Sequence, residues 1–429
     1  MRIALVNPPS PFLTNERVMP NIGIVRVATQ LKQKGFNVDI HDFAGRKPEE
    51  IRKISREYSL YGFSSTTPQM PQTMKLFNLL KQDNPNARTV LGGPHASAIS
   101  QLRQKGKKDI NIDSLNVFDT IFSGEAEGVN FYNMFLPGWQ VGDLVKNLDE
   151  LPIPDRSLID LKSYSFKLNG QDATTIQTQR GCPFKCEFCC GRDMDMYNKM
   201  RQHSPERVVK ELDQLHDEYG YSNFMWYDDE VNVNTARLEE LCNVLSTRPY
   251  NHRGFVRSDL ITKHPESVDW LKKAGFVKLC TGVESGSDRI LKVIKKGVTT
   301  EQNYEAARLI TEAGIHYEAF MIVGHPSETI KDVRKTAEWL KRANPDDFDI
   351  NILTAYPGCT IYDNAVESDK HKGYNWEHKG LYFNKPDYSK DASFYKGINA
   401  QSASFTRTDG LTEKQIHKLR DEIQSLNEN

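Results

Sequence analysis

The sequence predicts an α/β protein in two modules. A doubly wound parallel sheet spans 1–140, and a partial (β/α)6 barrel spans 171–370, with a connector at 141–170 and an extension at 371–429. Three observations carry this. Short apolar runs alternate with helical patterns in each half, and that alternation builds parallel sheets. Between the halves, Asp149-Glu150-Leu151-Pro152-Ile153-Pro154-Asp155-Arg156 mixes prolines with charges and cannot continue a helix or an inner strand. The first strand of the second half then runs into a loop holding Cys182, Cys186, Cys189 and Cys190.

In chain order, strands are expected at Ile3–Val6, Val38–His41, Leu60–Ser64, Thr89–Leu91 and Thr120–Phe122, with helices from about Gly23 to Lys34 and Gln69 to Lys81. Ligands of such sheets sit at the carboxyl ends of the strands. The segments there are small and polar: Asn7-Pro8-Pro9, Ser64-Ser65-Thr66-Thr67, Gly92-Gly93-Pro94-His95 and Gly124-Glu125. Any one of them reads as ordinary turn chemistry. Four on one predicted edge read as a site, where glycines admit a ligand and hydroxyls and amides bind it.

In the second half, strands are expected at Thr174–Gln177, Asn223–Tyr227, Gly254–Val256, Val277–Thr281, Glu318–Val323 and Phe348–Leu353. Ser204-Pro205-Glu206 starts a helix with a capping serine and an N1 proline. Three residues separate Cys182 from Cys186, and two separate Cys186 from Cys189. Three thiolates on one short loop can hold three irons of a cubane cluster, leaving the fourth iron open to a small molecule. Structural zinc takes four Cys or His ligands, usually as two pairs, and Cys242, Cys280 and Cys359 stand alone. Barrel chemistry sits at strand carboxyl ends. Those ends carry Asp228-Asp229-Glu230, Arg257-Ser258-Asp259, Gly282-Val283-Glu284-Ser285-Gly286, Gly324-His325-Pro326 and Tyr356-Pro357-Gly358. Helix capping is an equal reading for Asp228 and Ser258. It is a weak one for Glu284, flanked by Gly282 and Gly286.

Residues 371–429 bring Trp376, Tyr382, Phe383, Tyr388, Phe394 and Tyr395, expected to pack a lid onto the barrel. An amphipathic helix is expected from Leu411 to Leu426, with Ile416, Leu419 and Ile423 on one face.

Of 429 residues, 38% are hydrophobic and 26% charged, enough to bury cores, and the formal net charge of −1 gives no global case for nucleic acid or anionic membrane. Met1-Arg2-Ile3-Ala4-Leu5-Val6 is soon interrupted by prolines and does not read as a signal peptide; no apolar run reaches membrane-spanning length. Seven cysteines, four in one loop, fit a reducing cytoplasm.

The cysteine spacing, with Phe188 just before Cys189, resembles the radical S-adenosylmethionine (SAM) superfamily. Asn7-Pro8-Pro9, Pro20-Asn21-Ile22-Gly23, Gly92-Gly93-Pro94-His95 and Gly124-Glu125-Ala126-Glu127 resemble the cobalamin-binding domain that precedes many such modules. Gly282–Gly286, Val323-Gly324-His325-Pro326-Ser327-Glu328-Thr329 and Tyr356-Pro357-Gly358-Cys359-Thr360 are similar to the cobalamin branch, which includes methylases and an anaerobic magnesium-protoporphyrin monomethyl ester cyclase. Asp228-Asp229-Glu230 replaces the superfamily's Gly-Gly-Glu, and His325-Pro326-Ser327 departs from the usual turn.

The resemblance implies a [4Fe–4S] cluster on Cys182, Cys186 and Cys189, since pairing Cys190 with the first two gives a spacing the family does not use. Cys190 is then a bystander. It implies SAM on the open iron, with Phe188 near the adenine and Asp229, Glu230, Arg257, Ser258, Glu284 and Val323 around it. It implies cobalamin against Asn7, Pro8, Ser64, Ser65, Thr66, Gly92, Gly93, Pro94, His95, Gly124 and Glu125. Asp39-Ile40-His41-Asp42-Phe43-Ala44 is similar to a cobalt-ligating histidine motif, but it ends the second strand and has Ala44 at the glycine position, so His41 reads as a strand-end side chain. The expected activity is methylation of an unactivated carbon of a small-molecule or biosynthetic substrate, with an external electron donor of flavodoxin or ferredoxin type. Three rivals stand beside it: oxidative cyclisation or rearrangement, a front domain that has lost cobalamin, and a non-catalytic cobalamin sensor, which the cluster cysteines oppose. The carboxyl edges of both sheets should converge, with Gly93 and Ser65 on one wall and Cys189 and Glu284 on the other.

Overall fold

The computed structural model describes residues 1–192, 194–391 and 405–428. Its first sheet has six parallel strands: β1 (Arg2–Asn7), β2 (Asn37–Asp42), β3 (Leu60–Ser64), β4 (Arg88–Gly92), β5 (Thr120–Ser123) and β6 (Gly138–Val141), in the order β2-β1-β3-β4-β5-β6. Strand order reverses between β1 and β3, and a crevice opens there. Alternation along β1 explains the two-sided core. Ile3 and Leu5 pack with Ile24, Val25 and Leu31 on one face; Ala4 and Val6 pack with Phe63 and Leu76 on the other. Helix α1 (Ile22–Gln33) starts where Asn21 accepts from the Ile24 N–H at 3.2 Å. Helices α2 (Met70–Asp83) and α3 (Pro94–Gln104) complete the winding. The sixth strand differs from the sequence expectation. It lies where the connector was expected to begin, and as a half-exposed edge strand it carries no apolar run to signal it.

The second sheet is also six-stranded and parallel, with strands in plain chain order, as a partial barrel requires: β7 (Thr174–Ile176), β8 (Asn223–Trp226), β9 (Asn251–Phe255), β10 (Phe276–Glu284), β11 (His316–Val323) and β12 (Asp347–Ile352). Between them run α4 (Pro205–Tyr219), α5 (Thr235–Leu245), α6 (Glu266–Lys273), α7 (Thr300–Glu312) and α8 (Ile330–Ala343), with shorter helices. Helix α4 has its serine cap, Ser204 Oγ accepting from Arg207 N at 3.2 Å, and ends on Gly220 in the left-handed region. Strand β10 outruns expectation because its register shifts between Gly282 and Glu284, a bulge that carries the strand on to Glu284.

The connector is tied to the barrel. Asp149 accepts from the Ser204 N–H at 3.1 Å, and buried Arg156 pairs with Glu211 at 2.9 Å and donates to the Thr175 carbonyl at 3.1 Å.

The extension is not a lid on the barrel alone. Leu381, Phe383 and Tyr388 share a core with Phe63, Phe77 and Phe118 of the front sheet, and Tyr388 N donates to Asn111 at 2.8 Å. Phe394 and Tyr395 lie outside the described residues. Helix α9 (Glu413–Gln424) buries Ile416 and Ile423 against the barrel, and Gln424 accepts from the Ile350 N–H at 3.1 Å, covering edge strand β12. Among the described residues, no helix is long and apolar enough to cross a membrane.

Candidate active site between the two modules

The strand-end edges of both sheets open onto one cavity of about 850 Å³. Asn7, Ser64, Ser65, Thr66, Gly93, Pro94, Gly124 and Glu125 form the front wall. Two backbone features shape it. Gly93 has φ +92, and a Cβ there would stand 2.7 Å from the Ser65 nitrogen; the Ser65 N–H donates to Gly92 O and the His95 N–H to Ser65 O, both at 3.1 Å. Gly124 has φ +91 and abuts the Gly142 carbonyl. The front loops therefore approach any occupant as bare backbone and small hydroxyls, which suits a large planar macrocycle.

Three residues expected on that wall stand off it. Pro8, Gly92 and His95 are not among the lining residues. His95 is buried, bonds Thr67 Oγ1 through Nδ1 at 3.0 Å, and packs edge-on against Tyr388; burial lowers its pKa to about 3. Its direction follows from sitting on the first turn of α3, which turns it into the core. His41 bonds Tyr58 at 2.9 Å and is likewise not a lining residue.

The opposite wall carries Gln177, Arg180, Gly181, Cys190, Arg192, Tyr227, Asp229 and Tyr356. Cys189 and Glu284, expected there, are displaced by Cys190 and Asp229. The edges converge as expected; the side chains that meet the cavity differ. Spacing fixes which cysteines share a loop but not which side of the loop each thiol faces.

Arg180 binds the walls together. Its Nη1 meets Glu125 Oε1 at 2.8 Å and its Nη2 meets Glu127 Oε1 at 2.6 Å. Glu125 Oε2 accepts from Arg201 at 2.7 Å and from the Val145 N–H at 2.6 Å. Burial alone would lower the Arg180 pKa; Glu127 and Glu125 outweigh it and raise it. Glu125, expected to face cobalamin, thus spends both oxygens on protein.

The cysteine loop is held at both ends. Cys182 N donates to Tyr197 O at 2.9 Å, and a Cβ on Gly181 would meet the Lys199 carbonyl at 2.5 Å. Arg192 donates to the Cys182 carbonyl and stands 3.8 Å from Asp229. Burial pushes the Cys189 thiol up to about 12, opposed chiefly by the Arg192 charge, with Cys186 and Cys182 also in its field. Cys190 instead hydrogen-bonds Cys359. Among the described residues, no group of three or more His, Cys, Asp or Glu converges as a single-ion site would require. A cubane makes no such demand, because each thiolate takes its own iron. Three thiols on one loop beside a guanidinium fit a cluster held by three thiolates.

Behind the loop, buried Arg257, Glu284 and Lys296 form one group with half-buried Glu230. Lys296 donates to Glu284 at 3.0 Å, Arg257 donates to the Lys296 carbonyl, and the Arg257 guanidinium lies 3.6 Å over the Phe184 ring. Glu284 has φ +65, set by the bulge, and a Cβ on Gly282 would collide with its carboxylate at 2.2 Å. Burial pushes the Glu230 carboxyl up to about 7, against the pull of Lys296 and Arg257. Glu230 Oε2 and Ser258 Oγ are buried without partners, which fits a polar ligand such as SAM. Val323 is fully buried in the barrel core, and Phe188 meets His325 edge-on at 5.8 Å. Asp228 accepts from the Thr178 and Gln179 N–H groups at 2.6 and 3.0 Å, so it pins the approach to the cysteine loop. No sequence signal marks a role for Arg180 or Arg192, whereas Lys296, with Gly297, follows the strand-end phrase Gly282–Gly286 and belongs to the same signature.

Glu328 gives a pH prediction. It accepts from Gly324 N at 2.6 Å and His325 N at 3.3 Å, and burial raises its pKa to about 8. Unfolded, it ionises near 4.3. The folded state holds more protons between those values, so this stability is full below about pH 4 and is lost as pH rises towards 8. Glu328→Gln keeps an acceptor and cannot ionise. Chemical unfolding followed from about pH 5 to 8 should show a flatter fall in stability for the variant than for the wild type.

The site is thus set in a twin α/β assembly, with thiols at the mouth of a partial barrel and a second strand-end edge sharing its cavity. The Radical SAM superfamily model matches residues 176–340, and the B12 binding domain model matches residues 13–112. The chain thus carries a radical SAM module, with a B12-binding domain ahead of it. It is a cobalamin-dependent radical SAM enzyme whose cofactors are a [4Fe–4S] cluster, SAM and cobalamin.

It is 27% identical over 398 residues to an uncharacterized methyltransferase, PH0819, of Pyrococcus horikoshii, covering 88% of this chain and 85% of that one. It is 26% identical to the anaerobic magnesium-protoporphyrin IX monomethyl ester cyclase of Cereibacter sphaeroides, covering 76% of this chain and 56% of the cyclase. The fold is similar to the radical SAM methyltransferase TsrM of Kitasatospora setae solved with cobalamin and a [4Fe–4S] cluster, at TM-score 0.65 and 15% identity over 99% of this chain and 90% of that one.

Proposed function

We propose that the enzyme methylates an unactivated carbon of a small-molecule or biosynthetic intermediate. The observation that carries the reading is the shared cavity: loops of the cobalamin-binding and radical SAM modules line one space of about 850 Å³. When bound, the cluster would supply the electron for reductive cleavage of SAM, SAM the group that abstracts hydrogen, and cobalamin a methyl group.

The chain's own residues do the positioning. Cys182, Cys186 and Cys189 hold the cluster, and Arg192 offsets the thiolate charge. Phe188 would lie beside the adenine. Glu230 and Ser258 offer unpartnered buried oxygens to SAM, while Lys296 keeps Glu284 in place. Asn7, Ser64, Ser65, Thr66, Gly93, Pro94 and Gly124 form the corrin-facing wall. Arg180, bridging Glu125 and Glu127, keeps the two walls in register. Register matters because proximity is worth roughly 7–11 kcal/mol of barrier only with reacting atoms about 3–3.5 Å apart. A small one-electron carrier of flavodoxin or ferredoxin type supplies the reductant.

The second reading is oxidative cyclisation with the same cofactors, favoured by the likeness to the cyclase. SAM labelled in its methyl group separates them: label passes into product under methylation and stays out of it under cyclisation.

A further inference from the structure

Among the described residues, Arg26, Arg180 and Arg192 are the arginines that line the cavity between the modules. Two of them have acids beside them: Arg180 holds Glu125 and Glu127, and Arg192 stands near Asp229. Arg26 differs. Its Nη1 donates to Gln177 Oε1 and its Nη2 to the Gln177 carbonyl at 3.3 Å, so both bonds go to a neutral residue. Among the described residues it pairs with no carboxylate, although it is only 8% exposed. Burial, and then the Arg180 charge, lower its pKa to about 10 against the pull of Glu211 and Glu127. Glu16, the remaining acid of the lining, accepts from the Ser10 N–H.

Arg26 sits one turn into helix α1, and Asn21, Ile22 and Gly23 at the head of that helix line the same cavity. Asn21 Oδ1 takes the Ile24 N–H at 3.2 Å, and the Asn21 carbonyl takes the Val25 N–H at 3.4 Å. The Ile22 and Gly23 N–H groups are left without a partner among the described residues. Residues three and four apart share a helix face, and helical side chains lean toward the N-terminus, so the Arg26 stem runs toward those N–H groups. Gly23 puts no side chain in the way. A buried guanidinium bonded only to an amide leaves its desolvation cost largely uncompensated, and an anion would offset it. Phosphate has oxygens enough for a guanidinium fork and helix N–H groups at once.

We propose that Arg26 and the first turn of α1 bind a phosphate group in this cavity, carried by the substrate or by the nucleotide tail of cobalamin. This rests on the reading that the cavity holds cobalamin and substrate. A substrate phosphate would make the methyl acceptor a phosphorylated small molecule, anchored at one end to the front module. A cofactor phosphate would make Arg26 the residue that fixes the corrin tail at the boundary with the barrel, since Gln177 ends the first barrel strand.

The test uses enzyme reconstituted with its cluster and loaded with cobinamide, a corrin that lacks the nucleotide tail and its phosphodiester. Calorimetric titration with inorganic phosphate should show binding to the wild type and binding at least about tenfold weaker to Arg26→Gln. Arg26→Lys keeps the charge but not the fork, and its affinity should fall between the two. Tungstate, a phosphate mimic located by anomalous scattering in wild-type crystals, should lie within hydrogen-bond distance of the Arg26 guanidinium. Loading with cobalamin instead of cobinamide identifies the source. If the phosphate is the substrate's, inorganic phosphate still binds, and Arg26→Gln takes up cobalamin as the wild type does. If it is the cofactor's, cobalamin blocks inorganic phosphate, and Arg26→Gln loses affinity for cobalamin but not for cobinamide. No phosphate binding to the wild type, equal affinity in Arg26→Gln, or tungstate settled elsewhere in the cavity would overturn the site. The reading beneath the proposal fails separately: wild type that binds phosphate but takes up neither corrin keeps the phosphate site and loses the cofactor.

Discussion

Enzyme with Cys182, Cys186 and Cys189 all replaced by Ala shows no cluster absorbance after anaerobic reconstitution and cleaves no SAM. The three thiols share one loop, and each would take a separate iron, so their loss leaves no protein anchor. Cys190→Ala keeps absorbance and cleavage near the wild-type level. Its thiol bonds buried Cys359, whereas Cys189 lies in the field of Cys186 and Cys182. Iron and sulfide assays with the absorbance spectrum check both variants. Cluster loss in Cys190→Ala, with retention in Cys189→Ala, would reassign the third ligand.

Arg180→Met should destabilise the protein by about 3–5 kcal/mol, because removing one partner of a buried ion pair strands the other. Glu127 is the carboxylate most exposed to that loss. Its Oε1 accepts from Arg180, whereas Glu125 retains Arg201 and the Val145 N–H. A lower thermal midpoint and weaker corrin retention are expected together, since the same guanidinium lines the cavity. Arg180→Met combined with Glu127→Gln should recover part of the stability, as a double-mutant cycle would reveal. Equal midpoints for wild type and Arg180→Met would mean that the bridge does not hold the modules.

Much of the fold was legible because burial left periodic marks. Ile3 to Val6 alternate between two cores, and the barrel strands recur between helices of ordinary length. Edge strand β6 was missed because Gly138-Trp139-Gln140-Val141 is half exposed and has no apolar face to show. The extension's aromatics looked like a barrel lid, but Phe383 and Tyr388 pack against the front sheet; composition cannot say which neighbour an aromatic meets. The strand-end loops pointed to the cavity, and Ser65, Gly93 and Asp229 line it. Long-range pairings left no local trace. Arg180 meets Glu125 across 55 residues, and Glu187 meets Lys379 across 192. The bulge that turns Glu284 toward Lys296 is a property of backbone register, which no spacing of residues announces.

The central claim is that the methyl group of SAM reaches a substrate carbon in the cavity between the modules. The measurement is the fate of a deuterated SAM methyl group during anaerobic turnover, read by mass spectrometry of product, 5′-deoxyadenosine and S-adenosylhomocysteine. The account predicts label in the product with both adenosyl products formed alongside it. Product formed with 5′-deoxyadenosine but without label or S-adenosylhomocysteine would contradict methylation and establish the cyclase-like reaction in its place.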